Sequence, residues 1–376
     1  MFERIHTILI KEFKQIFRDP RMRIVIFISP LIQVLIFGYA ASTDVKNIPT
    51  AVYDLDNTPQ SREIIRSFSY SKYFNIKYYV DNGDKVRELI DKAKVSVVLH
   101  FNHGFAQDLE GNRGAQIQII VDGTDSNTAG IVLSYASRII QKYSSSLLND
   151  RINLVLNKSV VFPSVDLRER AWFNENLESR NYYIPGVIAM LVTVTSILLT
   201  AMAIVREKEI GTMEQLIVSP IKPIELILGK LAPFAVISFI ELAFIACIGV
   251  FWFKVPIRGS IPLLLGATCI YLLTTLGAGL FISTISSTQQ EAAMSLFLFL
   301  FPMNLLSGFV FPISSMPQPV QYVTRIVPLR YYLEILRGIF LKGVGIQILW
   351  PQILALLAIG ITVISLSSLR FRKRLG

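Results

Sequence analysis

Apolar residues gather in six long runs, at about 24–42, 182–204, 231–253, 261–284, 291–311 and 346–369. Each approaches the roughly 20 residues that cross the hydrocarbon core of a bilayer, so the pattern predicts six transmembrane helices. Ahead of them, Phe2, Ile5, Leu9, Phe13 and Ile16 recur at helical spacing, while Arg4, Lys11, Lys14 and Arg18 lie elsewhere around the wheel. Residues 1–23 are therefore expected to form an amphipathic interfacial helix rather than a cleavable signal. The polar block 43–181 separates the first run from the second. Within it "TAVYDLD" (50–56), "KVSVVLHF" (94–101) and "AQIQIIVDG" (115–123) read as strands. Helical stretches fall between and after them, one starting at Thr58-Pro59 with a cap and an N1 proline and a long one over 125–150. This predicts an α/β domain with its own core. Residues 312–345 are punctuated by Pro312, Pro317, Pro319 and Pro328, yet "LRYYLEILRGIFLKG" (329–343) is amphipathic, so short helices dipping into the outer leaflet are expected there. The fold class is thus an α-helical membrane protein with an α/β domain between its first two spans.

Composition agrees, because 52% hydrophobic residues over 376 positions is too apolar for a soluble chain. The net charge of +10 raises nucleic acid as a partner. However, residues 43–181 carry 17 basic and 17 acidic side chains, so the excess lies wholly in the spans and their flanks, which favours a membrane explanation and predicts no nucleic-acid partner. Placing both termini in the cytoplasm puts 14 basic residues inside and six outside (Lys254, Arg258, Arg325, Arg330, Arg337, Lys342). The block 43–181 is then extracytoplasmic, while residues 205–230 and the tail 370–376 are cytoplasmic. Cys247 and Cys269 both fall in apolar runs and offer neither a disulfide framework nor metal spacing.

Little catalytic chemistry emerges. His100 and His103 form "HFNH" after a strand but have no third ligand close in sequence, which makes surface histidines the default over a metal site. "YDLDN" (53–57) and "DGTDSN" (122–127) pair aspartates where strands run into helices, as caps and turns do, and neither matches a calcium loop. "LGKL" (228–231) lacks the upstream glycine and the following hydroxyl of a phosphate-binding loop, so this chain is expected to bind no nucleotide itself. Glu241 stands near the middle of the third run, where a carboxylate must face protein or water, find a partner or be protonated. Either a cation or proton site or a carboxyl bonded to a neighbouring helix would satisfy it.

The stretch "REKEIGTMEQLIVSPIKPIELILGK" (206–230) carries five charges in its first nine residues, and Ile210, Met213 and Ile217 would line one side of a helix there. It closely resembles the cytoplasmic segment of type-2 permeases of ATP-binding-cassette exporters, at Arg206, Glu207, Glu209, Gly211, Thr212, Glu214, Leu216, Ser219 and Pro220. "KEFKQIFRDPR" (11–21), "LSGFVFPISSMP" (306–317) and "VPLRYYLEILRGIFLKG" (327–343) extend the likeness along the chain, within the large-outer-domain branch that includes multidrug and sodium efflux permeases.

The resemblance implies a six-span permease in a bacterial inner membrane, paired with a second copy or a related permease. A separate cytoplasmic ATPase subunit would hold ATP and Mg and dock on Arg206, Glu207, Glu209, Gly211, Thr212, Met213, Glu214 and Leu216, with the N-terminal helix beside them. A periplasmic adaptor is an optional third partner. Spans two and five would line the path, making Thr195, Ser196, Glu241, Phe297, Phe301 and Asn304 candidate path residues, with Phe299 between the rings and Pro302 as a break. Such an aromatic wall suits amphipathic or cationic molecules. Lipid-facing phenylalanines and hydroxyls bonded to their own helix are the plain alternatives. A sensor built on the outer domain is the rival class, and lipid, peptide or sodium are rival cargoes.

Overall fold

The structure, a computed structural model, describes residues 2–40, 46–111, 114–156, 172–174, 178–212 and 223–375. Two compact units divide the chain: Met1–Ser42 with Arg170–Gly376, and Thr43–Glu169. The break at 169/170 falls before the expected domain end at 181, because Ser179 already begins the next long helix.

The first unit is helical. Helix α1 (Phe2–Arg18) stops at Asp19 and Pro20, and α2 (Pro20–Arg23) leads through a π-helical turn (Ile24–Ile28) into α3 (Ser29–Ala40). Phe13 and Ile16 of α1 pack into the core, while Lys11 stays half exposed, as the amphipathic spacing requires. Beyond the second unit come α8 (Ser179–Ile210), α9 (Pro223–Phe251), α10 (Ile261–Ile285), α11 (Gln289–Leu306), α12 (Gln318–Val323), α13 (Pro328–Arg337) and α14 (Ile346–Leu375). Among the described residues four of these, α8, α9, α10 and α14, are long and apolar enough to cross a membrane, and Ile24–Tyr39 is a shorter apolar helix. The helix of the fifth apolar run continues through Pro302 and ends at Leu306, so the proline does not break it.

Helix α8 is the hub and touches α3, α9, α10, α11 and α13. Its close approach to α10 depends on Gly279, where an added Cβ would lie 2.7 Å from Thr200 Cβ and 2.9 Å from the Ile197 carbonyl. Two residues earlier, a Cβ added at Gly277 would lie 3.2 Å from the backbone of Ile364 on α14. Positions i and i+2 point to nearly opposite sides of a helix, so the run Gly277-Ala278-Gly279 lets α10 fit tightly between two neighbours. Although expected to dip into a leaflet, α13 sends Tyr332 and Leu333 into the bundle core. The Tyr332 ring stacks on Tyr271 of α10 at 4.0 Å, and the two hydroxyls bond to Thr268 and Thr193.

The second unit is a four-stranded sheet in the order β2-β1-β3-β4, with β1 (Ile48–Asp54) parallel to β2 (Phe74–Val80) and β3 (Val97–Phe101), and β4 (Ile117–Val121) antiparallel to β3. Helix α4 (Pro59–Tyr70) starts at a Thr58 cap, and Ile64, Ile65 and Phe68 cover one face with Val132 and Ala136 of α7 (Ser126–Leu156). On the opposite face α5 (Gly83–Asp91) presents Val86 to Ala51 and Val98. Alternate residues of β1 and β3 are therefore buried on both faces, which explains their nearly continuous apolar sequence. A short α6 (Phe105–Glu110) follows β3. β2 was not among the expected strands, because most of "FNIKYYV" is solvent-facing or half-buried and its alternation is weak.

Candidate coupling site and substrate path

The second apolar run does not end where its charges begin. Helix α8 continues through Arg206–Ile210 and stops at Gly211, whose φ of +80° suits glycine as a left-handed helix terminator. The separate short charged helix expected from residue 206 onward is, in its first five residues, the tip of this long one. Met213, Glu214 and Leu216, together with Ser219 and Pro220, lie outside the described residues.

Each charged side chain at this tip reaches a different element. Arg206 pairs with Asp19, between α1 and α2, at 3.2 Å. Glu207 accepts from Lys11 of α1 at 2.8 Å through Oε1 and pairs with Lys230 of α9 through Oε2. Lys208 donates to the Ser283 and Ser286 carbonyls at the end of α10, where a cation meets the negative end of the helix dipole. Glu209 accepts from Gln289, the first residue of α11, at 2.6 Å. The tip thus clips together α1, α9, α10 and α11.

Glu207 corrects one expectation: it is only 4% exposed and its partner Lys230 only 2%. A buried pair of this kind holds the fold and cannot present charge to a partner. Glu12 and Glu225 are buried nearby on α1 and α9, so the junction is densely charged although enclosed. The exposed side chains at the tip are Glu209 and Ile210, while Thr212 is half-buried. Beside them, Thr7, Lys11, Lys14, Arg18, Asp19 and Arg206 line a polar groove of about 890 Å³ on α1. Lys11, Asp19, Lys230 and Gln289 were not marked as site residues from sequence. Lys230 carried the readable signal, a lone cation at the edge of an apolar run.

The candidate path residues do not form one surface. Thr195 donates to Glu241 Oε1 at 2.8 Å, and both are buried between α8 and α9, while Glu241 Oε2 has no partner. Ser196, also buried, bonds the Thr193 carbonyl of its own helix. Phe297 and Phe301 instead stack at 6.3 Å on the outside of α11, 71% and 58% exposed, with Phe299 also exposed. Asn304, one turn further on, is half-buried with an unpartnered Oδ1. Glu241 therefore has the geometry of a carboxyl bonded to a neighbouring helix hydroxyl. Glu241→Gln keeps an acceptor for Thr195, so we expect a stability change below about 1 kcal/mol and equal transport of neutral and cationic substrates. Vesicle uptake with paired substrates checks this, and a loss confined to cations would show that the charge itself acts in the path.

In the second unit the paired aspartates serve turns. Asp54 accepts from the Asp56 and Asn57 amides and from Ser61 Oγ, while Asp122 and Asp125 hold Thr124 and Thr128. In an open parallel sheet a ligand crevice lies beyond the strand ends where neighbouring connections diverge, here between β1 and β3. Asp56 occupies it with its own carboxylate, accepting from Thr58 Oγ1 and from the Gly104 and Ala106 amides at 2.6, 2.9 and 3.0 Å. Desolvation raises its pKa, but these hydrogen bonds outweigh that and hold it below the usual carboxylate value. His100 stacks on Tyr53 and faces Gln118, and no metal-binding group of three or more ligands occurs among the described residues.

Comparison with known proteins decides the family, because ABC-2 family transporter protein matches residues 20–369. The chain belongs to the ABC-2 transporter family. This ABC-2 permease is 33% identical to the "Probable multidrug ABC transporter permease YbhR" of Escherichia coli K12 over 374 residues, covering 100% of both chains. It is 32% identical to the "Probable multidrug ABC transporter permease YbhS" of the same strain, covering 100% of this chain and 98% of that one. The "Linearmycin resistance permease protein LnrN" of Bacillus subtilis is 21% identical, with 88% and 90% covered. The ABC-2 permease is thus a membrane subunit of an ABC transporter, and the junction at the tip of α8 belongs to a chain of that class.

Proposed function

We propose that this chain is the membrane half of an ATP-driven exporter that moves amphipathic or cationic drug-like molecules out of the cytoplasm. A separate ATPase subunit, holding ATP and Mg, docks on the exposed tip of α8, the residues after it and the basic groove on α1. The chain pairs with a second copy or a related permease in a bacterial inner membrane. Both termini face the cytoplasm and the 43–181 domain faces outward, with a periplasmic adaptor as an optional further contact. Ile24–Ala40 and Gln289–Leu306 complete six spans.

One observation carries this reading: the charged end of α8 engages α1, α9, α10 and α11 at once. A displacement delivered there is shared by four elements, which is what conversion of ATPase closure into a change of access requires. The multidrug names of the relatives support the cargo class. The rival sensor reading draws no support from the ends of β1 and β3, where Asp56 is bonded to amides of its own chain.

The test is reconstitution of the chain with and without its ATPase in vesicles, measuring ATP-dependent movement of a cationic dye. Movement only with both subunits supports the proposal. Transport by the chain alone, or labelling of residue 209 from the outer side, defeats it.

A further inference from the structure

A cleft of about 720 Å³ runs between α10, α11 and α14, and its lining is almost entirely apolar. Of the three phenylalanines of the aromatic wall on α11 only Phe299 lines it, and the charged tip of α8 does not contribute. From Ala358 to Ser367 the α14 wall extends about 13 Å along the helix at 1.5 Å per residue, with Thr274, Ala278 and Phe281 of α10 opposite. Both walls belong to helices long and apolar enough to span a membrane, which puts the cleft at the depth of bilayer hydrocarbon if they do so. At the end toward the C-terminus Arg370 holds its guanidinium 5.4 Å from the centre of the Phe281 ring. Arg370 is exposed and pairs with no carboxylate among the described residues. An apolar cleft ending beside a cation that pairs with no carboxylate among the described residues suits an alkyl tail joined to an anionic head.

We propose that this cleft binds an anionic phospholipid from the leaflet at the C-terminal end of α14, one acyl chain lying between α10 and α14 and the phosphate meeting Arg370. The lipid fills the seam between α10 and α14 where the Gly277 contact does not close it. Ala278, between Gly277 and Gly279, leaves the slot open because its side chain is a single methyl.

The full-length chain in lipid nanodiscs tests this, using two photoactivatable probes with a diazirine midway along one acyl chain. One probe carries a phosphatidylglycerol head and the other a phosphatidylcholine head. Adducts located by peptide mass spectrometry are expected on Thr274–Phe281 and Ala358–Ser367. The anionic probe should exceed the zwitterionic one about fivefold, the scale of one basic side chain at an anionic surface. Arg370→Gln should abolish that headgroup preference and Arg370→Lys should retain it. Ala278→Phe should remove the adducts from the cleft while those on exposed Ile348 and Leu354 persist. Three results overturn the proposal: adducts spread evenly over α14 with either head, cross-links from the cleft to a second copy of the chain, or displacement of the probe by a transported dye. Since Arg370 is exposed, its variants fold as the parent does, and even labelling in them and the parent alike would count against the site.

Discussion

Glu207→Ala is expected to lower the stability of the purified permease by about 3 kcal/mol, the scale on which removing one partner strands a buried charge. Lys230 would be left almost wholly enclosed without the carboxylate that pairs with it, whereas Lys11 is half exposed and can return to water. Joint replacement by Glu207→Leu and Lys230→Met should recover most of the loss, since apolar groups of similar volume replace a buried pair at little cost. Thermal unfolding in detergent over the double-mutant cycle reads this coupling. Strictly additive losses would mean that the pair is not a unit. The result also separates two roles: a residue that only grips an ATPase would change complex formation and leave unfolding untouched.

The second large effect falls where α8 and α10 touch. Gly279→Leu places a branched side chain where even a Cβ meets Thr200 and the Ile197 carbonyl inside 3 Å, and a backbone carbonyl cannot rotate away. The helices must part, with a cost of about 3 kcal/mol or failure to assemble. Gly266, beside which an added Cβ meets nothing within 4 Å, provides the control, and Gly266→Leu should express and unfold like the parent. Equal yields and unfolding midpoints for the two variants would show that the α8–α10 seam is more yielding than its distances indicate.

Much of this architecture is legible before any coordinates. The amphipathic spacing of Phe13 and Ile16 against Lys11 marks which face of α1 is buried, and the Thr58-Pro59 pair marks the start of α4. What escaped has physical causes. Hydropathy registers the first charges at Arg206 but not the end of the helix, which Gly211 determines through its backbone conformation. Lys230 could be weighed only against a phosphate loop, since its partner Glu207 lies 23 residues away. The burial of Glu207 is hidden for the same reason, because it depends on a cation that another segment supplies. Thr195 and Glu241 do meet, 46 residues apart, but the rings of Phe297 and Phe301 point elsewhere, and no periodicity could have separated those two groups.

The unbroken length of α8 has a mechanical meaning. Its 32 residues extend about 48 Å, against about 30 Å of bilayer hydrocarbon. Some 18 Å of rigid rod therefore projects beyond the oily layer, and a swing of about 10° about its far end would carry the tip about 8 Å. Under the proposed function, a small angular stroke inside the bilayer and a larger displacement at the tip would be geared to one another by a single piece of backbone.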